Sequence, residues 1–267
     1  MPLPDEASMI VSELADKLER SPQRSLFSPV IYDTAWAAMI SKVQEDGDRY
    51  WLFPECFQII LQDECPTGAW GSNTSKTDGI LNATGVLLAI LKHRDEPLVR
   101  GSELPPDLNA RICDLVRWID ATLQEWDVAT SDHVGFELLV PTLLGLLRQH
   151  DVVFDFPGAE VLTTMNREKL AKLDVSSLYS PAKSTLVHSL EAFVGMLDFD
   201  KVKHHLHNGS MMASPSSTAA YLIYISEWDD EAEAYMKRTF VQSEGFASAA
   251  PTTIFECSWV KSTILLL

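Results

Sequence analysis

The 267-residue chain is 46% hydrophobic and 22% charged, a composition typical of a globular protein with room for one large domain or two smaller ones. Its formal net charge of −17 disfavours binding to nucleic acid or to an anionic membrane surface, because both require a basic face. No run approaches the roughly 18 apolar residues of a membrane span, and the acidic N-terminus lacks a signal core. Four cysteines without a C-x-x-C pair complete the prediction of a cytosolic protein.

Helical periodicity begins near the N-terminus. A first helix is predicted over residues 5–20, where apolar residues recur at three- and four-residue steps. The Ser-Pro pair at 28–29 breaks the chain before a second helix, which is predicted to continue to Val43. Asp33 or Thr34 is expected to cap the free N–H groups of that second helix.

Eight more helices are predicted along the rest of the chain. They cover residues 53–62, 78–92, 108–125, 136–149, 159–173, 184–197, 216–225 and 231–241. The second of these is apolar on more than one face, which is typical of an inner helix. Strand signals are almost absent, and the Asn208-Gly209 pair is expected to lie in a loop. We therefore predict an all-α fold, a partial α-barrel or bundle of about ten antiparallel helices.

Six segments, in the same order, resemble signature segments of plant and fungal diterpene cyclases. They are YDTAW at 32–36, GAWGS at 68–72 with ILNAT at 80–84, GFE at 135–137, LVHSLE at 186–191, NGS at 208–210 with SPSSTAA at 214–220, and FECSW at 255–259. The resemblance covers nearly the whole chain. It implies the α-helical γ domain of a class II or bifunctional cyclase (residues 51–245), preceded by the start of a β domain (1–50) and followed by a truncated β-domain piece (246–267).

Class II cyclases start a carbocation cascade by protonating an alkene, and their acid is the middle Asp of a D-x-D-D motif. The resemblance implies conversion of geranylgeranyl diphosphate to a copalyl-type diphosphate, with Mg²⁺ as cofactor. The sequence contains no D-x-D-D, since the DFDK run at 198–201 breaks off at its fourth position. We therefore expect a chain that has no catalytic residue of its own and is inactive alone.

Two residues are candidates for binding the substrate. Lys169 resembles a lysine that meets the substrate diphosphate in plant class II enzymes, where a cation holds the diphosphate without expelling it. Glu137 is expected to face the diphosphate or its Mg²⁺. A solvated basic helix face and a structural glutamate are the respective alternatives. The other motif residues are expected to be structural: Tyr32, Asp33, Trp36, Trp70, His188 and Glu191.

Two patterns raise the possibility of a metal site. The DDEAE run at 229–233 fits the D-D-x-x-E motif of class I cyclases, but it lacks an N-x-x-x-S-x-x-x-E partner, so an exposed acidic helix start is preferred. His204, His205 and His207 have only Asp200 as a nearby carboxylate, so an ordinary loop is preferred to a zinc site. No metal ligand is therefore assigned.

Two other functions remain open. The chain can be a non-catalytic helical module that binds a prenyl diphosphate or a partner chain, or a helical protein-interaction domain that shares only ancestry with cyclases. If it is part of a cyclase, its partner is the missing β or α domain. The apolar ILLL run at 264–267 would then mark a surface that the β domain covers.

Overall fold

α-Helices dominate the part of the chain that this computed structural model describes, namely residues 9, 28–62, 75–96, 99–100, 104–242 and 244–252. In chain order they are α1 (Ile31–Ala38), α2 (Pro54–Gln62), α3 (Lys76–Asp95), α4 (Leu108–Gln124), α5 (Phe136–Arg148), α6 (Ala159–Lys172), α7 (Pro215–Tyr224) and α8 (Asp230–Thr239). Short 3₁₀ segments lie at Val128–Thr130, Val175–Tyr179, Thr185–Phe193, Phe199–Lys201 and Lys203–His205. The predicted mostly helical fold is confirmed.

Helix α3 lies at the centre of the core. Its residues are buried around the whole circumference, and it contacts α1, α4 and α5. Gly85 sits where the ring of Tyr32 crosses the helix, since a Cβ there would lie 3.4 Å from Tyr32 Cδ2. Ser75 caps the first turn by accepting a hydrogen bond from the Asp78 amide at 3.1 Å. The prediction of an inner helix at this position is confirmed.

The second helix is shorter than predicted. It ends at Ala38, and β1 (Ser41–Val43) pairs antiparallel with β2 (Arg49–Trp51), which also pairs parallel with β3 (Val99–Arg100). The polar turn between β1 and β2 closes with Gly47 at φ +86°, a conformation that favours glycine. The prediction of helix up to Val43 was wrong because the turn brings a pairing strand alongside these residues.

The Asn208-Gly209 pair forms a hairpin turn, so the prediction of a loop was wrong. Strands β4 (Leu206–His207) and β5 (Ser210–Met211) pair antiparallel around it. Both turn residues have positive φ, +51° and +77°, as expected for a two-residue hairpin. A side chain at Gly209 would collide with the carbonyl of Glu231. Strands of two residues are too short to show the alternation that sequence analysis relies on.

The predicted helix over 184–197 is also wrong. The chain forms 3₁₀ turns over Thr185–Phe193 with a break at Ser189, where φ is −139° and ψ is 47°. The amide of Leu190 donates to Ser217 Oγ at 2.9 Å, a partner outside its own segment. A tertiary hydrogen bond thus takes the donor that an α-helix would have used.

The two ends of the described helical region meet. The Val30 amide donates to the Phe246 carbonyl at 2.7 Å, and Pro29 and Ala247 form an antiparallel bridge. Thr34 Oγ1 accepts from the Phe246 amide at 3.0 Å. Among the described residues, no helix is long and apolar enough to cross a membrane. The predicted boundaries near residues 50 and 245 stay predictions.

Candidate functional site

A charged pair lies where helices α5 and α6 pack together. Glu137 is in the first turn of α5 and Lys169 in the last turn of α6. Lys169 Nζ lies 2.8 Å from Glu137 Oε1, and the lysine side chain is 40% exposed while that of the glutamate is 14% exposed. The two residues that the sequence assigned to substrate binding are therefore neighbours, and solvent reaches the cation. Their role toward a ligand stays a prediction.

Asn166 supports this pair, and sequence reasoning missed it. Its Nδ2 donates to the backbone carbonyl of Glu137 at 2.7 Å, which fixes α6 against the start of α5. Asn166 also lines an open groove of about 300 Å³, whose apolar surface includes Leu170 and Met196. An amide three residues before Lys169, and so on the same helical face, is the signal that points to it. The groove and the charged pair therefore lie along the same two helices, α5 and α6.

Three sequence motifs converge at a second, buried polar cluster. The Ser216 amide donates to Asp33 Oδ1 at 3.0 Å, and the Ser216 hydroxyl donates to Glu191 Oε1 at 3.1 Å. Ser217 Oγ donates to Glu191 Oε2 at 2.8 Å. Ser214 caps α7 by accepting from the Ser217 amide at 3.2 Å. The cluster joins α1, the Thr185–Phe193 segment and the start of α7, and we call it the carboxyl junction.

Neither residue expected to cap α1 does so. Val30 occupies the N-cap position without a side-chain bond, and both candidates lie inside the helix. Asp33 instead accepts from Ser216, while Thr34 Oγ1 donates to the Val30 carbonyl at 2.8 Å. The prediction was wrong because Asp33 bonds to the distant Ser216, and Thr34 bonds to the Val30 carbonyl and to the distant Phe246 amide. The serines of the SPSSTAA run are the polar signal that sequence reasoning left unused.

Burial dominates the electrostatics of the carboxyl junction. Asp33 is 4% exposed and Glu191 3%. Burial raises the pKa of Asp33 to about 7, and the charge of Glu191 adds to that rise. Burial likewise raises the pKa of Glu191 to about 7, although hydrogen bonds from Ser217 and Ser216 oppose the rise.

Two aromatic residues of the YDTAW motif lie on α1, the helix that carries Asp33. The rings of Tyr32 and Trp36 meet edge to face, with centroids 6.5 Å apart. Burial raises the pKa of the Tyr32 hydroxyl well above its ordinary value. His188 is exposed, and its Nδ1 lies 3.2 Å from the carbonyl of Met212. Trp70 and the FECSW segment lie outside the described residues.

The DDEAE run begins α8, and it is an exposed acidic start only in part, since Asp230 and Glu231 are exposed. Asp229 is buried, caps the amides of Glu231 and Ala232, and lies 2.9 Å from Lys203 Nζ. Glu233 is also buried, so the expectation of exposure was wrong for both carboxylates. Their charges are tolerated there because each one has a lysine partner.

The three histidines also have protein partners or an exposed position. His204 Nε2 lies 2.9 Å from the Ser180 carbonyl, and His205 Nε2 lies 2.8 Å from the Leu178 carbonyl. His207 is exposed in β4. Within the described ranges, no group of three or more histidine, cysteine, aspartate or glutamate side chains is placed to hold a metal ion.

Comparison with known proteins finds diterpene cyclases. The chain is 43% identical over 99% of its length to a copalyl diphosphate synthase of Talaromyces verruculosus, of which it covers 28%. It is 44% identical over 98% of its length to an ent-kaur-16-ene synthase of Phaeosphaeria sp., of which it covers 29%. The chain thus spans less than a third of these curated relatives. No family model matches.

Solved structures show the same fold. The abietadiene synthase of Abies grandis matches with a TM-score of 0.74 and 23% identity, over 95% of this chain and 32% of that protein. The ent-copalyl diphosphate synthase of Arabidopsis thaliana, solved with (S)-15-aza-14,15-dihydrogeranylgeranyl thiolodiphosphate, matches with a TM-score of 0.69 and 24% identity, over 88% of this chain and 32% of that one.

Proposed function

This chain is homologous to a segment of the fungal diterpene cyclases, and from that premise we propose that it forms a diphosphate-binding wall of a class II cyclase. The reaction would convert geranylgeranyl diphosphate to a copalyl-type diphosphate. The cytosolic location predicted from composition is part of the same proposal. The observation that carries it is the pair of Lys169 and Glu137, which presents a half-exposed cation where α5 and α6 pack together.

Lys169 fits an anionic ligand better than a purely structural role. A half-exposed ion pair contributes at most about 1 kcal/mol to stability, so the fold has little need of this cation. An ammonium group donates strong charge-assisted hydrogen bonds to phosphate oxygens. Its three donors leave room for such bonds beside the one contact to Glu137.

Magnesium use is consistent with the resemblance to the relatives. The side chains at this site fit Mg²⁺ only if a diphosphate supplies further ligands. Mg²⁺ keeps several waters and is commonly bound by one or two carboxylates together with substrate phosphates. Glu137 offers one such carboxylate next to Lys169. We propose that Glu137 would hold Mg²⁺ only together with a diphosphate, which the ion would then help to neutralise.

The general acid would come from another part of the enzyme. The sequence of this chain contains no D-x-D-D motif. The chain would therefore bind the substrate without turning it over, and the remaining domains or a partner chain would supply the proton. Formation of a bicyclic diphosphate by the purified chain with Mg²⁺ would contradict this division of roles.

A binding experiment tests the proposed site. Titration calorimetry of the purified chain with geranylgeranyl diphosphate, and separately with inorganic pyrophosphate, would compare Lys169→Ala with the wild type. Loss of one charge-assisted contact is expected to weaken binding about tenfold or more. Lys172→Ala is the matched control, because Lys172 is exposed on the same helix three residues further on. Equal losses in both variants would indicate non-specific attraction and overturn the assignment.

Glu137→Gln separates the two roles of the glutamate. The substitution frees Lys169, so binding without Mg²⁺ is expected to tighten, while the added affinity that Mg²⁺ provides is expected to fall. Unchanged binding in both conditions would leave Glu137 a structural residue. The alternative of a non-catalytic module would be favoured if the chain melts cooperatively and binds the prenyl diphosphate, yet no cyclisation follows when the acid-bearing domain of a class II cyclase is added.

A further inference from the structure

In the described part of the chain, the donors that bond the two acids of the carboxyl junction are neutral. Asp33 and Glu191 belong to different elements, and Ser216 bridges them, because its amide donates to one carboxyl and its hydroxyl to the other. Ser217 supplies a further hydroxyl to Glu191. A pair of ionised carboxylates in this position would be two like charges in a region that water does not reach.

In the described part of the chain, the packed elements bring tyrosine, histidine and serine side chains toward the junction. Helix α1 contributes the hydroxyl of Tyr32, and α8 contributes that of Tyr235. The 3₁₀ segment contributes His188, which is exposed and lies against the Met212 carbonyl. Helix α7 contributes serines. Within the described ranges, no lysine, arginine or histidine forms a hydrogen bond or ion pair with either carboxyl.

We propose that Asp33 and Glu191 share one proton at neutral pH, and that this proton holds α1, the Thr185–Phe193 segment and α7 together as a pH-sensitive junction. With one proton present, only one negative charge is buried, and the serine donors satisfy it. Loss of the proton leaves two like charges buried where these three elements meet. The inference concerns the fold of this chain and is independent of the proposed substrate.

The direction of the pH effect follows from the raised pKa values. Both carboxyls titrate near pH 7 in the folded chain and near pH 4 when unfolded, so the folded state binds more protons in between. Stability from this junction is therefore greatest at the acidic end of that interval and is lost as pH rises through about 7. The titration belongs to the pair, since two interacting acids lose their protons in coupled steps.

Carbon-13 NMR of the side-chain carboxyl carbons in the full chain tests the proposal without any substitution. The Asp33 and Glu191 carbons are expected to change together in a step near neutral pH. Carbons that both keep the shift of an ionised carboxylate down to pH values of about 5 would overturn the shared proton.

Unfolding of variants provides a second test. Asp33→Asn keeps an oxygen for the Ser216 amide but removes one acid, and urea unfolding would be followed across roughly pH 5 to 8. In the variant, unfolding is expected to release about one proton fewer than in the wild type. The unfolding constant would therefore change about tenfold less per pH unit. Asp120→Asn, at an exposed position on α4, is the matched control and is expected to keep the wild-type slope. Equal slopes in the wild type and both variants would refute the junction as a switch, and if Asp33→Asn does not fold, the NMR titration decides.

Discussion

The two polar sites of this protein treat charge in opposite ways. At the α5–α6 contact, Lys169 and Glu137 are opposite charges, and solvent reaches the cation. At the carboxyl junction, Asp33 and Glu191 are two acids that are almost fully buried. They accept hydrogen bonds from two serine hydroxyls and one serine amide. Separating a partly exposed pair of opposite charges requires little free energy, so a ligand can replace one of the two partners. A buried pair of like sign is costly to disturb, so it is suited to holding elements together.

Truncating one glutamate at each site should give the largest difference in stability. Glu191→Ala leaves the Ser216 and Ser217 hydroxyls without their acceptor and creates a cavity, so it is expected to lower the free energy of unfolding by about 2–4 kcal/mol. Glu137→Ala removes a partly exposed ion pair and is expected to cost at most about 1 kcal/mol. Urea unfolding at pH values of about 6 measures both. Equal losses would mean that the two sites contribute equally to the stability of the fold.

Glu233 extends the comparison to a buried acid that does have cations. Burial raises its pKa, but hydrogen bonds from Lys237, Lys42 and Trp228 outweigh burial and hold the pKa down to about 2. Its contribution to stability is therefore present above the unfolded pKa of about 4.5 and is lost as pH falls toward 2, the reverse of the carboxyl junction.

Between neutral and acidic pH, the wild type is expected to lose about 2 kcal/mol more unfolding free energy than Glu233→Gln. This value is set below the full effect of the pKa shift because solvent reaches Lys237 and weakens its ion pair. Acid unfolding followed by circular dichroism would show the wild type losing stability below pH values of about 4 more steeply than the variant. Parallel acid curves would contradict the role assigned to the lysine partners.

Salt provides the smallest and most selective test. The Lys169–Glu137 pair is expected to contribute about 0.5 kcal/mol at low ionic strength and almost nothing in roughly 1 M salt, where the Debye length is about 3 Å. A double-mutant cycle with Lys169→Ala and Glu137→Ala at both salt concentrations measures this term. A coupling that salt does not change would indicate that the pair is buried in solution.

Sequence reasoning predicted what depends on local periodicity. Helices such as α4 and α6 follow from apolar spacing, and their predicted bounds agree with the structure to within one residue. The resemblance to cyclases was inferred from the order of the motifs. The similarity to the fungal relatives confirms that resemblance. The residues of those motifs were named, but their mutual contacts were not.

Several of the missed features depend on partners far along the chain. Ser189 breaks its helix because the next amide bonds to Ser217, and Asp33 leaves the capping role because Ser216 is its partner. Lys169 and Glu137 were chosen independently, so their direct contact was not foreseen. Such contacts depend on how helices pack, and sequence spacing does not determine that packing.

The bridge between Pro29 and Ala247 makes this region suitable for circular permutation. Because the backbone enters and leaves through neighbouring bridged residues, a short peptide link between them would close the intervening chain into a ring. New termini could then be opened in the exposed turn between β1 and β2 without changing which side chains meet. If a circularly permuted form unfolds in the same cooperative thermal transition, these helices form an independently folding unit.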